Sequence, residues 1–255
     1  EPSDNPKGHA FKGGFRNEVT QCGASAVRIP PVKDDYDTLK KEITSLSQLC
    51  DILIINAGSS AGREDFTSAV LRELGEVFVH GIAIKPGKPA ILARIGNVPV
   101  IGIPGYPVSA YIVFEEFVTP LLMKMSHREN AQGDVIEALS TRRIVSSLKH
   151  QEYVRVKVGS VDGKFVATPL SRGAGAAMSL VRSDGFCIIP QNSEGVEANE
   201  NVSVRLVRPK NELEKTIVSI GSHDMILDII NDISAIRGDG LQLSSSHTGS
   251  LAGLM

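Results

Sequence analysis

Short apolar runs alternate with helical spacing through the first half of the chain. In "DTLKKEITSLSQLC" (37–50), Leu39, Ile43, Leu46 and Cys50 recur at intervals of four, three and four residues, which predicts an amphipathic helix. The run "DILIIN" (51–56) that follows is apolar without alternation, as in strands buried on both faces. A second helix is predicted from about Asp65 to Leu74, stopped by Gly75, and "EVFVHGIAI" (76–84) reads as the next strand. "PAILARI" and "PVIGIP" flank Gly96-Asn97 as a hairpin, and residues 107–124 form a long helix with Pro107 in its first turn, where its missing N–H costs little. "ASAVRIP" (24–30) reads as a short strand, and the polar residues before it have only weak periodicity. Alternating strands and helices predict an α/β domain over 1–125, three-layered with a mostly parallel sheet.

Beyond residue 125 the period drops to two. "EYVRVKVGS" (152–160) alternates Val154, Val156 and Val158 with Arg155 and Lys157, and the turn "VDGK" leads into "FVATPL", a half-buried hairpin. "GFCIIP" and "NVSVRLV" add strands, so 126–209 is predicted to be a small all-β, barrel-like domain. "RPKNELEK" reads as a linker. From "TIVSIGSHD" a strand–helix–strand pattern restarts, predicting the opening of a second α/β domain over 210–255. Position 1 is not Met and the last residues stop within a strand-to-helix unit, so the chain reads as an internal piece of a longer protein.

Composition narrows the function classes. With 255 residues, 42% hydrophobic and 22% charged, the chain has the profile of a soluble globular protein. A net charge of −2 gives no global case for nucleic acid, so an anion site would have to be local. Cys22, Cys50 and Cys187 are far apart and odd in number, which suits a reducing cytoplasm better than a disulfide framework or a zinc site. The most apolar stretch, 98–123, is broken by Pro99, Pro104, Pro107, Glu115, Glu116 and Pro120, which argues against a membrane span.

Three loops carry candidate chemistry. "AGSSAGRED" joins a strand end to a helix start, where Gly58 and Gly62 let backbone N–H groups approach an anion and Ser59 and Ser60 offer hydroxyls. Asp65 either caps the helix or holds a divalent cation; both roles fit its position. In "KPGKP" (85–89), Pro86 and Gly87 shape a tight turn that can aim Lys85 and Lys88 to one side. Two ammonium groups held together repel unless an anion lies between them; the alternative is a solvated basic turn. "IPGYPVSA" (103–110) repeats the pattern, with Pro104-Gly105 and Ser109 at a strand-to-helix turn, where the alternative is an ordinary capped turn. Three such loops after strands of one sheet would share an edge, and in open α/β sheets the carboxyl edge is where ligands bind.

Taken in order, "DILIINAGSSAGREDFT", "LGEVFVHGIAIKPGKP", "PVIGIPGYPVSA", "EYVRVKV", "MSLVRSDGFCIIP" and "VSVRLV" resemble the MoeA / gephyrin E-domain family, the molybdopterin molybdotransferases. The resemblance runs from about residue 26 to 208. It implies binding of adenylylated molybdopterin, insertion of molybdate (or tungstate) and Mg²⁺-dependent release of AMP. It further implies that Asp34 and Asp65 are Mg²⁺ ligands or acid/base groups, and that Lys85 and Lys88 hold the molybdate dianion. Arg155 would lie near the same oxyanion, with a solvent-facing strand position as the alternative, and Ser179 is a poorer match in a thinned serine stretch. The family pattern departs at Tyr106, where an Asn is usual, and its Gly-Asp-Glu-Leu and "DSN" segments are not recognisable. A homodimer is implied for the full-length protein. A non-catalytic pterin or oxyanion sensor on the same fold is the alternative function.

The tail, "TIVSIGSHDMILDII … LQLSSSHTGSLAGL", is similar to the opening of a LysR-type or periplasmic-binding-protein-like substrate-binding domain, as in a subgroup that fuses one to the transferase. There Ser222, His223, Ser246 and Thr248 would sit at helix starts and either present donors to a small oxyanion or act as ordinary caps. His223 and His247 lack the supporting cluster a metal site needs.

Overall fold

The computed structural model describes residues 14–33, 35–57, 66–129, 133–161, 163–170, 177–213, 216–222, 224–237 and 242–247. Its contacts divide the chain into two units, 1–131 with 174–177, and 132–173 with 178–255. No helix among the described residues is long and apolar enough to cross a membrane.

In the first unit, α1 (Gly14–Gln21), α2 (Tyr36–Ser47) and α3 (Phe66–Leu74) surround a sheet of β1 (Leu53–Ala57), β2 (Glu76–His80), β4 (Ile91–Ile95) and β5 (Val98–Pro104); the two-residue strand β3 (Ile84–Lys85), which follows β2 along the chain, is not a member of that sheet. The strand order is β1-β5-β4-β2. Alternation along β5 makes the layers. Val100 packs with Ile43 of α2 and Val70 and Leu71 of α3 on one face, whereas Ile101 and Ile103 pack with Val19 and Phe114 on the other. That second face is covered by α1, α4 (Pro107–Val113), a π-helical segment (Phe114–Val118) and α5 (Thr119–Met125). Asp35 starts α2 by accepting the Thr38 N–H at 3.0 Å.

Only β1–β5 is a parallel pair; β5–β4 and β4–β2 are antiparallel. The expectation of a mostly parallel sheet therefore fails among the described residues. The physical reason is the two-residue Gly96-Asn97 hairpin, which reverses the chain directly, without a crossover helix. Residues 24–33 have no ladder, so the strand expected at 24–30 is absent, with Val27 fully on the outside. The strand expected over 76–84 is interrupted between His80 and Ile84. Gly75 ends α3 for a different reason than a left-handed cap: a Cβ there would sit 2.0 Å from the Arg94 carbonyl oxygen of β4. The long helix expected at 107–124 forms, with the π-helical turn inside it.

The second unit is built on β6 (Val135–Ser140), β8 (Gln151–Val161), β9 (Lys164–Pro169), β10 (Gly185–Ile189) and β12 (Asn201–Leu206). The order β10-β12-β6-β9-β8 closes on itself through β8–β10, leaving a small barrel filled by Val154, Val156, Val158, Ile189, Val202 and Val204. The short strands β7 (Ile144–Val145) and β11 (Gly195–Val196) pair beside it, and α6 (Ala177–Arg182) precedes β10. The stretch read as a linker is part of this packing. Helix α7 (Lys210–Leu213) puts Leu213, fully buried, into the barrel core. Then β13 (Thr216–Gly221), α8 (Met225–Arg237) and β14 (Gln242–His247) make a parallel βαβ unit.

One polar group intrudes on the helical layer of the first unit. Glu18 of α1 has a buried Oε2 with no hydrogen-bond partner among the described residues. Burial, reinforced by the Glu115 carboxylate, pushes its pKa up to about 7 from 4.5. Between those values the folded chain holds a proton that the unfolded chain releases, so stability falls as pH rises through that window. Urea unfolding across pH 4.5 to 7 is expected to show that decline. Glu18→Gln, neutral throughout, is expected to flatten it and to be the more stable chain above pH 7.

Candidate functional site

The register of the first sheet decides where its loops go. Ala57, the last residue of β1, pairs with Pro104, the last of β5, so the segments 58–65 and 105–106 leave from neighbouring strands at one edge. At the start of β4, Ile91 pairs with Gly102 on β5 and with His80 at the end of β2. The segment 81–90, which contains "KPGKP", therefore departs from the same edge. The 81–90 and 105–106 segments, and the end of β1 at Ala57, therefore share one side of one sheet.

Within 81–90 the backbone is tied by Gly81 N–H to Ala90 O at 2.8 Å, Ile82 N–H to Lys88 O at 2.8 Å and Ala90 N–H to Gly87 O at 3.3 Å. Gly87 is buried with φ +122°, and a Cβ there would meet Ile84 Cδ1 at 2.8 Å and Val113 Cγ2 at 3.1 Å. The turn is thus pinned from beneath while Lys85 and Lys88 on either side of Gly87 remain exposed at the surface of their unit. In the 103–110 segment, Pro104 is buried, Gly105 and Tyr106 are exposed, and Pro107 opens α4. Ser109 is buried in the first turn of α4, two residues after Pro107. It is not the N-cap; Tyr106 holds that position without a side-chain bond.

Asp34, Gly58, Ser59, Ser60, Gly62 and Asp65 lie outside the described residues. Among the described residues no three His, Cys, Asp or Glu side chains gather as a metal site.

In the second unit the structure brings Arg155 and Ser179 together: the Arg155 guanidinium donates to the Ser179 hydroxyl. The alternation predicted for β8 holds, with valines inward, yet its outer face is not solvated. Arg155 is only 6% exposed, and burial pulls its pKa below the ordinary arginine value. The solvent-facing alternative for Arg155 and the half-buried description of its hairpin are both corrected by this covering.

Sequence reasoning missed the groups beside this pair. Asp184, fully buried, accepts from the Val158 N–H at 3.0 Å and from Arg208 Nη1 at 2.9 Å, and Lys157 Nζ lies 3.4 Å from it. Burial lowers the Lys157 pKa, and Asp184 opposes that shift. Asp184 carries no chemical signal of its own in the sequence and Lys157 reads as an outer residue of an alternating strand, so no local signal marked this network. In the βαβ unit, Ser246 lies inside β14, not at a helix start, while His223 and Thr248 fall outside the described residues. The first turn of α8 is capped by Asp224, which accepts the Ile226 N–H at 2.9 Å and places a carboxylate where an oxyanion was considered.

Comparison with known proteins agrees with this division of the chain. Residues 14–124 match the family model described as "Probable molybdopterin binding domain", and residues 137–207 match "MoeA C-terminal region (domain IV)". A protein of Methanocaldococcus jannaschii named for molybdopterin biosynthesis is 35% identical over 190 residues, covering 74% of this chain and 45% of the relative. The molybdopterin molybdenumtransferase of Bacillus subtilis is 27% identical over 199 residues, covering 77% and 46%. The crystal structure of a molybdopterin biosynthesis MoeA protein from Pyrococcus horikosii superposes with TM-score 0.64 at 33% identity, covering 79% of this chain and 47% of that one. The chain spans about half the length of the curated relatives it matches.

Gly87→Ala is expected to destabilise the first unit by about 1–3 kcal/mol, because left-handed backbone strain adds to overpacking against Ile84 and Val113. Urea unfolding checks this, and a change below a few tenths of a kcal/mol would mean the turn is not pinned as described.

Proposed function

We propose that the chain belongs to the MoeA family, whose molybdopterin-binding domain and C-terminal domain IV its two segments match in order, and that it acts in molybdenum cofactor biosynthesis as a molybdopterin molybdenumtransferase. Its substrates are adenylylated molybdopterin and molybdate, and the products are the molybdenum-loaded pterin and AMP. The observation that carries this reading is the departure of 58–65, 81–90 and 105–106 from a single sheet edge. An anionic substrate laid along that edge meets N–H groups, hydroxyls and two ammonium groups.

The proposed roles follow from charge and geometry. Lys85 and Lys88, held apart by the pinned Gly87 turn, supply compact positive charges for a tetrahedral dianion. The glycine and serine loop from Gly58 to Gly62 offers backbone N–H groups and the hydroxyls of Ser59 and Ser60 to the phosphate side of the pterin. Pro104 and Gly105 keep the neighbouring loop small beside it, and buried Ser109 supports the start of α4. In the second unit, buried Arg155 and half-buried Ser179 are placed to donate to an oxyanion. Asp34 and Asp65 are the residues that would hold Mg²⁺, which would neutralise charge on the phosphoanhydride. The protein works in the cytoplasm as a homodimer, and β13–α8–β14 opens a periplasmic-binding-protein-like domain. A parallel βαβ unit supports that last assignment.

The test is maturation of a molybdoenzyme in cells lacking their own transferase, complemented by this protein in its natural reading frame. Lys85→Ala with Lys88→Ala is expected to fail at limiting molybdate, since it removes both ammonium groups proposed to hold the dianion. Full maturation by that variant at limiting molybdate would remove the oxyanion role.

A further inference from the structure

Arg155 sits on β8 and Ser179 on α6, and two separate elements can hold one anion only if something fixes them to each other. Asp184 stands at the junction. It lies two residues beyond α6 and one before β10, and its backbone N–H donates to the Val156 carbonyl of β8 at 2.9 Å. Its carboxylate accepts the Val158 N–H of the same strand at 3.0 Å. Its carbonyl accepts the Val207 N–H at 3.0 Å, and Arg208 Nη1 reaches its Oδ1 at 2.9 Å, so the segment leaving β12 is tied to the same residue. Lys157 Nζ, also on β8, is 3.4 Å from Oδ1. The chain before Asp184 is closed as well: Ser183 donates from its hydroxyl to the Leu180 carbonyl at 2.7 Å and from its N–H to the same carbonyl at 3.2 Å. From Leu180 to Val158 the path runs through the hydrogen bonds of Ser183, the Ser183–Asp184 peptide and the Val158 N–H bond to the Asp184 carboxylate, so Asp184 is the residue it passes through.

We propose that Asp184 is a positioning residue for oxyanion binding: it clamps α6 to β8 so that Arg155 and Ser179 keep the mutual placement in which both present donors to one anion. This rests on the reading of Arg155 and Ser179 as oxyanion donors given above. The two bonds of the carboxylate divide the work. Oδ2 fixes the strand through Val158, and Oδ1 fixes the Arg208 segment and neutralises Lys157 and Arg208. An asparagine has one acceptor oxygen, so it keeps one of these ties and turns an N–H₂ group toward the other.

Charge and position predict opposite signs. Asp184 is a negative group among cations, so if it acted only through its field, removing the charge would leave molybdate binding unchanged or tighten it. A positioning role predicts weaker binding. The experiment is equilibrium dialysis of molybdate against the protein in its natural reading frame, with thermal unfolding of each variant measured in parallel. Asp184→Asn is expected to weaken molybdate binding about tenfold, an effect that largely disappears when Arg155 is already Gln, as coupled residues behave in a double-mutant cycle. Arg208→Gln leaves the Val158 bond intact. It is expected to weaken binding about threefold, again only while Arg155 is present, whereas plain loss of positive field would persist in the Arg155→Gln background. If Asp184→Asn does not fold, this second variant decides alone. Unchanged or tighter binding by folded variants, or a loss that adds in full to that of Arg155→Gln, overturns the positioning role. If Arg155→Gln itself leaves molybdate binding unchanged, the oxyanion reading of the Arg155–Ser179 pair fails instead.

Discussion

The parallel pairing of β1 with β5 is the constraint on which the first unit depends. Among the described residues it is the single parallel ladder of the β1-β5-β4-β2 sheet, and it aligns the last residue of each strand, Ala57 with Pro104. A slip of one residue would exchange Val100 with Ile101 between the two cores, since alternate residues of β5 face α2–α3 and α1–α4. Both hydrophobic faces therefore fix the register, and the register fixes the loops. The antiparallel β4 then returns along β5 and brings the Lys85–Lys88 turn to the edge that the other two loops already occupy. Packing on the two faces thus does the positioning that the proposed anion chemistry needs.

The second unit solves a related problem with charge. A small barrel has room inside for valines, and everything polar on β8 must go outward. That outer face is covered, so Arg155 and Lys157 lose water and need partners. Ser179 meets the first and Asp184 the second, while Arg208 supplies a further cation against the same carboxylate. A buried carboxylate with two cations is a weak device for stability by itself, because desolvation offsets most of the attraction. Its value here lies in joining β8, the segment after β12 and the residue that follows α6.

Most elements were legible where one period dominated. Leu39, Ile43 and Leu46 specify α2, and the valines of 154–158 specify an inward face of β8. The sheet direction was not legible, because apolar runs such as "DILIIN" and "PVIGIP" look alike in parallel and antiparallel ladders, and only the connection length separates them. Gly75 illustrates a second limit. Its place after α3 suggested a cap, but its role is to make room for the Arg94 carbonyl of a strand nearly twenty residues away. The loops of the candidate site were legible as Gly, Pro and Lys patterns, because turn chemistry is local. Asp184 and the burial of Arg155 were not, since both arise from what covers the barrel.

The proposed activity requires that this protein turn over an adenylylated pterin and do more than hold it. The direct measurement is AMP released from adenylylated molybdopterin by the protein in its natural reading frame, with and without molybdate, alongside binding of the same substrate. Bound substrate and AMP release that depends on molybdate are expected. Tight binding with no release under either condition would contradict the proposed activity and leave an oxyanion or pterin sensor built on the same sheet.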